Sequence, residues 1–194
     1  MHTKVKTTYM ELRNHEEFKP KNGFRQRLEV REVDNDAYLN FVLFAGVGLP
    51  WRWSSRLRWT PDEWAEYFSS QQVFTWLGFE SKKLIGYFEI EFDRQMDAEI
   101  KFFGVFPGYM GRGLGGMLLS YAIECAWSRG AKRVWLHTCS NDSEAAIGNY
   151  LARGFRVFKV EEKSEHVPGT SELIDLSAKF FENYIKKYSP DERP

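Results

Sequence analysis

Cysteine is scarce: the 194-residue chain has two, Cys125 and Cys139. They form neither a metal-ligand spacing nor a disulfide framework, which predicts a reducing, cytoplasmic setting and no metal site. An excess of charge of one sign is also missing. Lys plus Arg and Asp plus Glu stand at 27 each, so the basic footprint that nucleic acid requires is absent. The longest apolar-rich stretch, FVLFAGVGLPW over residues 41–51, is well short of the ~20 residues of a membrane-spanning helix. The polar, alternating start of the chain does not read as a signal peptide. Together these absences predict one soluble domain over residues 1–194, with neither nucleic acid nor a membrane as partner. Aromatic residues are abundant at 16%, enough for a sizeable core.

Alternating patterns predict strands over residues 4–12 and 26–33, and a helix over about 36–46. The stretch GLPWRWSSRLRW reads as a loop rich in Trp and Arg. Thr60-Pro61-Asp62-Glu63 starts a helix, with Thr60 as N-cap, Pro61 in the first turn and Glu63 closing a capping box. VFTWLGFE and KLIGYFEIEF read as a hairpin turning at Ser81 and Lys82, and AEIKFFGVF as a strand ended by Pro107. GMLLSYAIECAWSRG has helical spacing and RVWLHTC strand alternation. AAIGNYLARG reads as a short helix, FRVFKV and TSELIDLS as strands, and AKFFENYIKKY as an amphipathic helix. The class is α/β (α+β), with a mixed central sheet flanked by helices.

Residues 108–116 read GYMGRGLGG, five glycines in nine positions. Gly111 to Gly116 satisfy G-x-G-x-x-G between a strand and a helix, the context of a dinucleotide fold. About 100 residues precede the motif, however, and no acidic residue closes the next strand cleanly. No Gly-Lys-Ser/Thr follows, which excludes a P-loop. The physical reading is independent of either motif. A helix start offers unpaired N–H groups and partial positive charge, and glycine lets a phosphate approach the backbone. Arg112 adds a cation, and the loop is expected to hold a pyrophosphate.

VFPGYMGRGLGGMLL resembles the acyl-coenzyme A loop of the GNAT superfamily of N-acyltransferases. Val105-Phe106-Pro107 supplies its entry, and Gly113 and Gly115 its two small positions; Met110 stands where Gln or Arg is usual. A later segment is similar to the superfamily's Asn-x-x-Ala-x-x-x-Tyr-x-x-x-Gly-Phe. Ala146, Tyr150, Gly154 and Phe155 match it, Ser143 takes the Asn position, and Asn141 lies two residues earlier. The two motifs cover about residues 98–158. The resemblance implies a GNAT-like, mostly antiparallel sheet splayed between its fourth and fifth strands. It also implies acetyl-CoA as co-substrate, with no metal.

The site it implies comprises Phe103, Val105, Gly111, Arg112, Gly113, Leu114, Gly115, Gly116, Asn141 and Ser143 toward the cofactor. Tyr150 would donate to the leaving sulfur. The Val105 N–H would meet the developing oxyanion, with Gly104 suited to a bulge. Glu99, six residues before Val105, would serve as general base, with Glu89, Glu91 and His137 as rivals and a Glu99–Lys101 pair as the structural alternative. The acceptor side would draw on Trp53, Arg56 and His137, beside Trp51, Arg52, Arg58 and Trp59. The expected reaction is direct transfer of an acetyl group to a small-molecule amine in a ternary complex. A homodimer is compatible with this reading. The alternatives are acetylation of a protein amine, a non-catalytic acyl-CoA sensor and, more distantly, a dinucleotide-dependent oxidoreductase.

Overall fold

The computed structural model describes residues 2–188. Its elements are β1 (His2–Leu12), α1 (Phe24–Arg27), β2 (Glu29–Val33), α2 (Ala37–Gly48), α3 (Pro61–Ser70), β3 (Gln72–Glu80), β4 (Lys83–Phe92), β5 (Asp97–Val105), α4 (Leu114–Ser128), β6 (Arg133–Cys139), α5 (Ala145–Ala152), β7 (Arg156–His166) and α6 (Thr170–Tyr188). One sheet orders the strands β2-β3-β4-β5-β6-β1-β7, antiparallel throughout except at β5–β6. Strand alternation divides its two faces. Phe88 and Ile90 pack with the α4 residues Leu114, Leu118 and Ile123. Tyr87, between Phe88 and Gly86 in the chain, packs instead with Leu43 and Val47 of α2.

Local chemistry explains the element starts. At α3 the Thr60 hydroxyl accepts from Glu63 N–H while the Glu63 carboxylate accepts from Thr60 N–H, and Pro61 occupies the first turn. The β3–β4 hairpin turns on Ser81 and Lys82, both with positive φ.

Four expectations need correction. Residues 26–33 do not form a strand throughout: Phe24–Arg27 form a helical turn that buries Phe24 under Tyr121, and β2 begins only at Glu29. TSELIDLS is the first two turns of α6, because Leu173 and Phe180 repeat at helical spacing and bury against α2 and α3. FRVFKV is the start of a longer strand, since β7 pairs along β1 as far as His166. The fourth and fifth strands stay paired from Phe92–Ala98 to Gly86–Val105. The sheet instead opens between the fifth and sixth, because the short β2 adds one to the strand count.

Candidate active site

β5 and β6 pair at only three positions: Asp97–Arg133, Ala98–Val134 and Glu99–Trp135. Beyond Glu99 they part, and one edge of β5 is left open. Phe106 N–H donates to Ile85 O across β4 at 2.8 Å. Because N–H groups alternate between the edges of a strand, Val105 and Phe103 turn theirs toward the gap. The expected bulge at Gly104 lies instead at Lys101, where the β4 register shifts between Glu89 and Ile90. Gly104 serves packing: a Cβ there would sit 2.4 Å from Val47 of α2.

A cavity of about 380 Å³ fills the gap. Phe103 and Val105 line one side, Gly111, Gly113, Gly115 and Gly116 the end, and Ser143, Asn149 and Tyr150 the other side. α4 starts here at an N-cap glycine, Gly113 (φ +76°), with no side-chain cap and no acidic residue in its first turn. Its first N–H groups are therefore not matched by a side chain. A Cβ on Gly115 would meet no atom within 4 Å, so the space beside it is open. An anionic, extended group fits this wall: open β-strand edge, uncapped helix start, small residues. A pyrophosphate-bearing thioester arm has that shape and charge.

Not every residue expected at the cofactor lies there. Arg112 is half exposed and pairs with Glu80 at 2.6 Å, which also takes Arg27 at 2.6 Å, so its cation is neutralised outside the cavity. Leu114 sends its side chain into the core; only its backbone belongs to the helix start. Asn141 lines a second cavity rather than the first. Ser143 and Met110 do line the first.

Tyr150 is buried, and among the described residues its hydroxyl makes no hydrogen bond. Burial, with the nearby Asp142 charge, pushes the phenol well above its ordinary range, so it keeps its proton. The result is an unpartnered donor on the wall of the cavity.

The second cavity, about 340 Å³, adjoins the first. Trp51, Trp53, Lys101, His137 and Asp142 line both. Asp142 ties this junction together: it accepts from Trp53 Nε1–H at 2.9 Å, Thr138 Oγ1–H at 2.6 Å and Cys139 N–H at 2.9 Å. Tyr9, Arg52, Ser54, Ser55 and Glu165 form the outer walls. Arg56 is not among them. It lies buried, 2.8 Å from Glu89, beneath the rings of Trp59, Trp64, Tyr67 and Phe102. Arg58 pairs with Glu172 of α6 at 3.1 Å. Of the loop's tryptophans, Trp51 and Trp53 thus reach the site, while Trp59 packs against the core beside Arg56 and Arg58 lies in an exposed surface pair.

Glu99 lines neither cavity. Its Oε1 lies 3.1 Å from His137 Nδ1 and its Oε2 2.8 Å from Lys101 Nζ, which also pairs with Glu91 at 3.3 Å. Burial alone would raise the Glu99 carboxyl, but His137 and Lys101 outweigh it and hold Glu99 below the usual carboxylate range. Of the rival bases, Glu89 is taken up by Arg56, Asn40 and Tyr67, and Glu91 by Tyr67 and Lys101.

Asp142 and Asn149 went unremarked in the sequence. Asn149 precedes the motif tyrosine, and Asp142 sits between Asn141 and Ser143, so proximity to the motif is the only signal the sequence carries for them. Among the described residues no group of three or more His, Cys, Asp or Glu could hold a metal ion, and no helix is long and apolar enough to cross a membrane.

A sheet parted at a glycine-rich helix start defines a GCN5-related acetyltransferase fold, and solved structures share it. The GCN5-related N-acetyltransferase from Sphaerobacter thermophilus matches with a TM-score of 0.60 at 16% identity, over 87% of this chain and 55% of that one. One from Kribbella flavida gives 0.60 at 15%, over 87% and 60%. The IAA acetyltransferase from Bacillus cereus gives 0.52 at 22%, over 68% and 79%. The chain thus spans little more than half of the first two, and the likeness is one of fold. No curated protein matches. The Acetyltransferase (GNAT) family profile matches residues 20–155, and the chain belongs to that family.

Proposed function

We propose that the protein is an acetyl-CoA-dependent N-acetyltransferase acting on a small-molecule amine by direct transfer in a ternary complex. The observation that carries this reading is the gap beyond Glu99–Trp135, open beside β5 and bounded by both the uncapped start of α4 and the unpartnered Tyr150 hydroxyl. Bound acetyl-CoA supplies an activated acyl carbonyl. The N–H groups at the start of α4 hold its pyrophosphate. The open β5 edge aligns its arm, and Val105 N–H meets the negative charge that grows on the carbonyl oxygen. Tyr150 gives a proton or hydrogen bond to the departing sulfur. The second cavity admits the amine. Its size and mixed polar and aromatic walls suit a small molecule. Thiol release on mixing acetyl-CoA with a broad panel of amines tests the reading. Acetyl-CoA binding without release for any amine would leave an acyl-CoA sensor.

Gly115→Asp is expected to abolish acetyl-CoA binding by placing a carboxylate against the pyrophosphate. Its Cβ has room, and an acid at a helix start does not burden the fold. Gly113 is the poorer test because its φ of +76° strains any other residue. Calorimetry showing wild-type affinity with an unchanged melting temperature would remove the loop from the phosphate site.

Met110 lines the cavity and is partly exposed. Met110→Arg is expected to tighten CoA by about 1 kcal/mol through a charge-assisted hydrogen bond. The gain should shrink with added salt. Equal dissociation constants at low salt would place residue 110 away from the phosphates.

A further inference from the structure

We infer that His137 is the general base for the acceptor amine, with Glu99 the residue that positions it. The inference rests on the transferase reading above. Three observations converge on it. His137 lines both cavities, on the wall where amine and acyl arm would meet. Its side chain is 42% exposed against 8% for Glu99, so only the histidine is open to substrate. Both Glu99 oxygens are taken, Oε1 by His137 and Oε2 by Lys101.

The proton between Glu99 and His137 can be assigned by chemistry. An ionised carboxylate only accepts, so the hydrogen in the 3.1 Å contact belongs to Nδ1. Neutral His137 therefore carries its lone pair on Nε2, the arrangement a base requires. Glu99 cannot swing away easily. Lys101 holds it at 2.8 Å and is itself held by Glu91 at 3.3 Å, which accepts from Tyr67 at 2.9 Å. Tyr67 also reaches Glu89, the partner of Arg56. The imidazole thus stands at the end of a half-buried polar chain anchored in α3 and the tryptophan loop.

Other groups around the ring complete its electrostatic setting. From β5 come Glu99 and Lys101. From β1 comes Tyr9, the cross-strand partner of His137, with ring centroids 5.7 Å apart. From β7 come Glu161, bonded to the Tyr9 hydroxyl, and Lys159 over the Tyr9 ring. Asp142 and Cys139 follow from the end of β6 and its loop, with Arg52, Glu165 and His166 on the outer walls.

The ammonium gives one proton to His137 Nε2, which passes it to solvent and regains its lone pair. The neutral amine attacks the acyl carbon to form the C–N bond. As the C–S bond breaks, the nitrogen's second proton goes to His137 Nε2, while the sulfur takes one from the Tyr150 hydroxyl, which solvent then reprotonates.

Two measurements test the assignment. Long-range nitrogen–proton NMR on the free protein should show His137 as the Nδ1–H tautomer, a result that needs no acceptor. The Nε2–H tautomer would overturn the proposal. With an amine found by thiol release, His137→Gln should keep acetyl-CoA affinity, lower kcat/KM by about 100-fold or more and lose the acidic limb of the pH profile. Glu99→Gln should be less damaged and keep that limb, because the imidazole remains while only its hold on Nδ1–H is lost. Glu99→Gln losing the limb while His137→Gln retains it would make Glu99 the base. No release with any amine, alongside an Nδ1–H tautomer, would overturn the transferase reading and with it the role of His137 as base, leaving Glu99 only as the group that orients the imidazole.

Discussion

Tyr150→Phe is expected to lower turnover by about 100- to 10,000-fold, the usual range for assistance by a positioned acid, while acetyl-CoA affinity stays near the wild-type value. Among the described residues the hydroxyl has no hydrogen-bond partner, and the ring packs edge-on against Phe103 and Phe155 at centroid distances of 6.4 and 6.2 Å. Phenylalanine keeps those contacts, so stability should hold. The hydroxyl matters only as charge grows on sulfur, so the loss belongs in kcat and not in ground-state binding. Steady-state rates and calorimetry on both forms decide it. Wild-type turnover in the variant would reduce Tyr150 to packing.

Arg56→Met should cost about 3–5 kcal/mol of stability, the usual penalty for leaving a buried charge alone. Both members of the Arg56–Glu89 pair are almost wholly enclosed, at 4% and 1% side-chain exposure. Burial already pushes the Glu89 carboxyl above its ordinary range despite the guanidinium. Without Arg56 the folded state would hold that carboxyl protonated at a pH where the unfolded chain has released it. The folded state then binds more protons, so the variant loses stability as pH rises from acid to neutral. Denaturant midpoints at several pH values read this out. Adding Glu89→Leu should recover part of the loss, because two apolar residues bury no charge. A single variant that unfolds like the wild type at neutral pH would refute the structural role given to Arg56.

The glycine loop, the strand before it and the helix after it were legible in the sequence. Their chemistry is local: Pro107 ends a strand, glycines allow positive φ, and apolar spacing marks α4. The Thr60 capping box and the Ser81–Lys82 hairpin were legible for the same reason, since each needs only neighbours in the chain. TSELIDLS misled because eight residues of mixed pattern suit either period. Its helical state is decided by burial of Leu173 and Phe180 on α2 and α3, more than 100 residues away in sequence.

The site divides along the same line. Motif spacing pointed to Gly113, Gly115, Ser143 and Tyr150, all of which line one cavity. It could not say that Glu80 neutralises Arg112 or that Glu89 buries Arg56. Nor could it reveal that Glu99 faces His137, 38 residues on. Charge pairing across strands depends on register and on which edge is left open. Here β5 and β6 separate after Glu99–Trp135, and that parting of two strands decides which side chains line the cavities and which are held in pairs beside them.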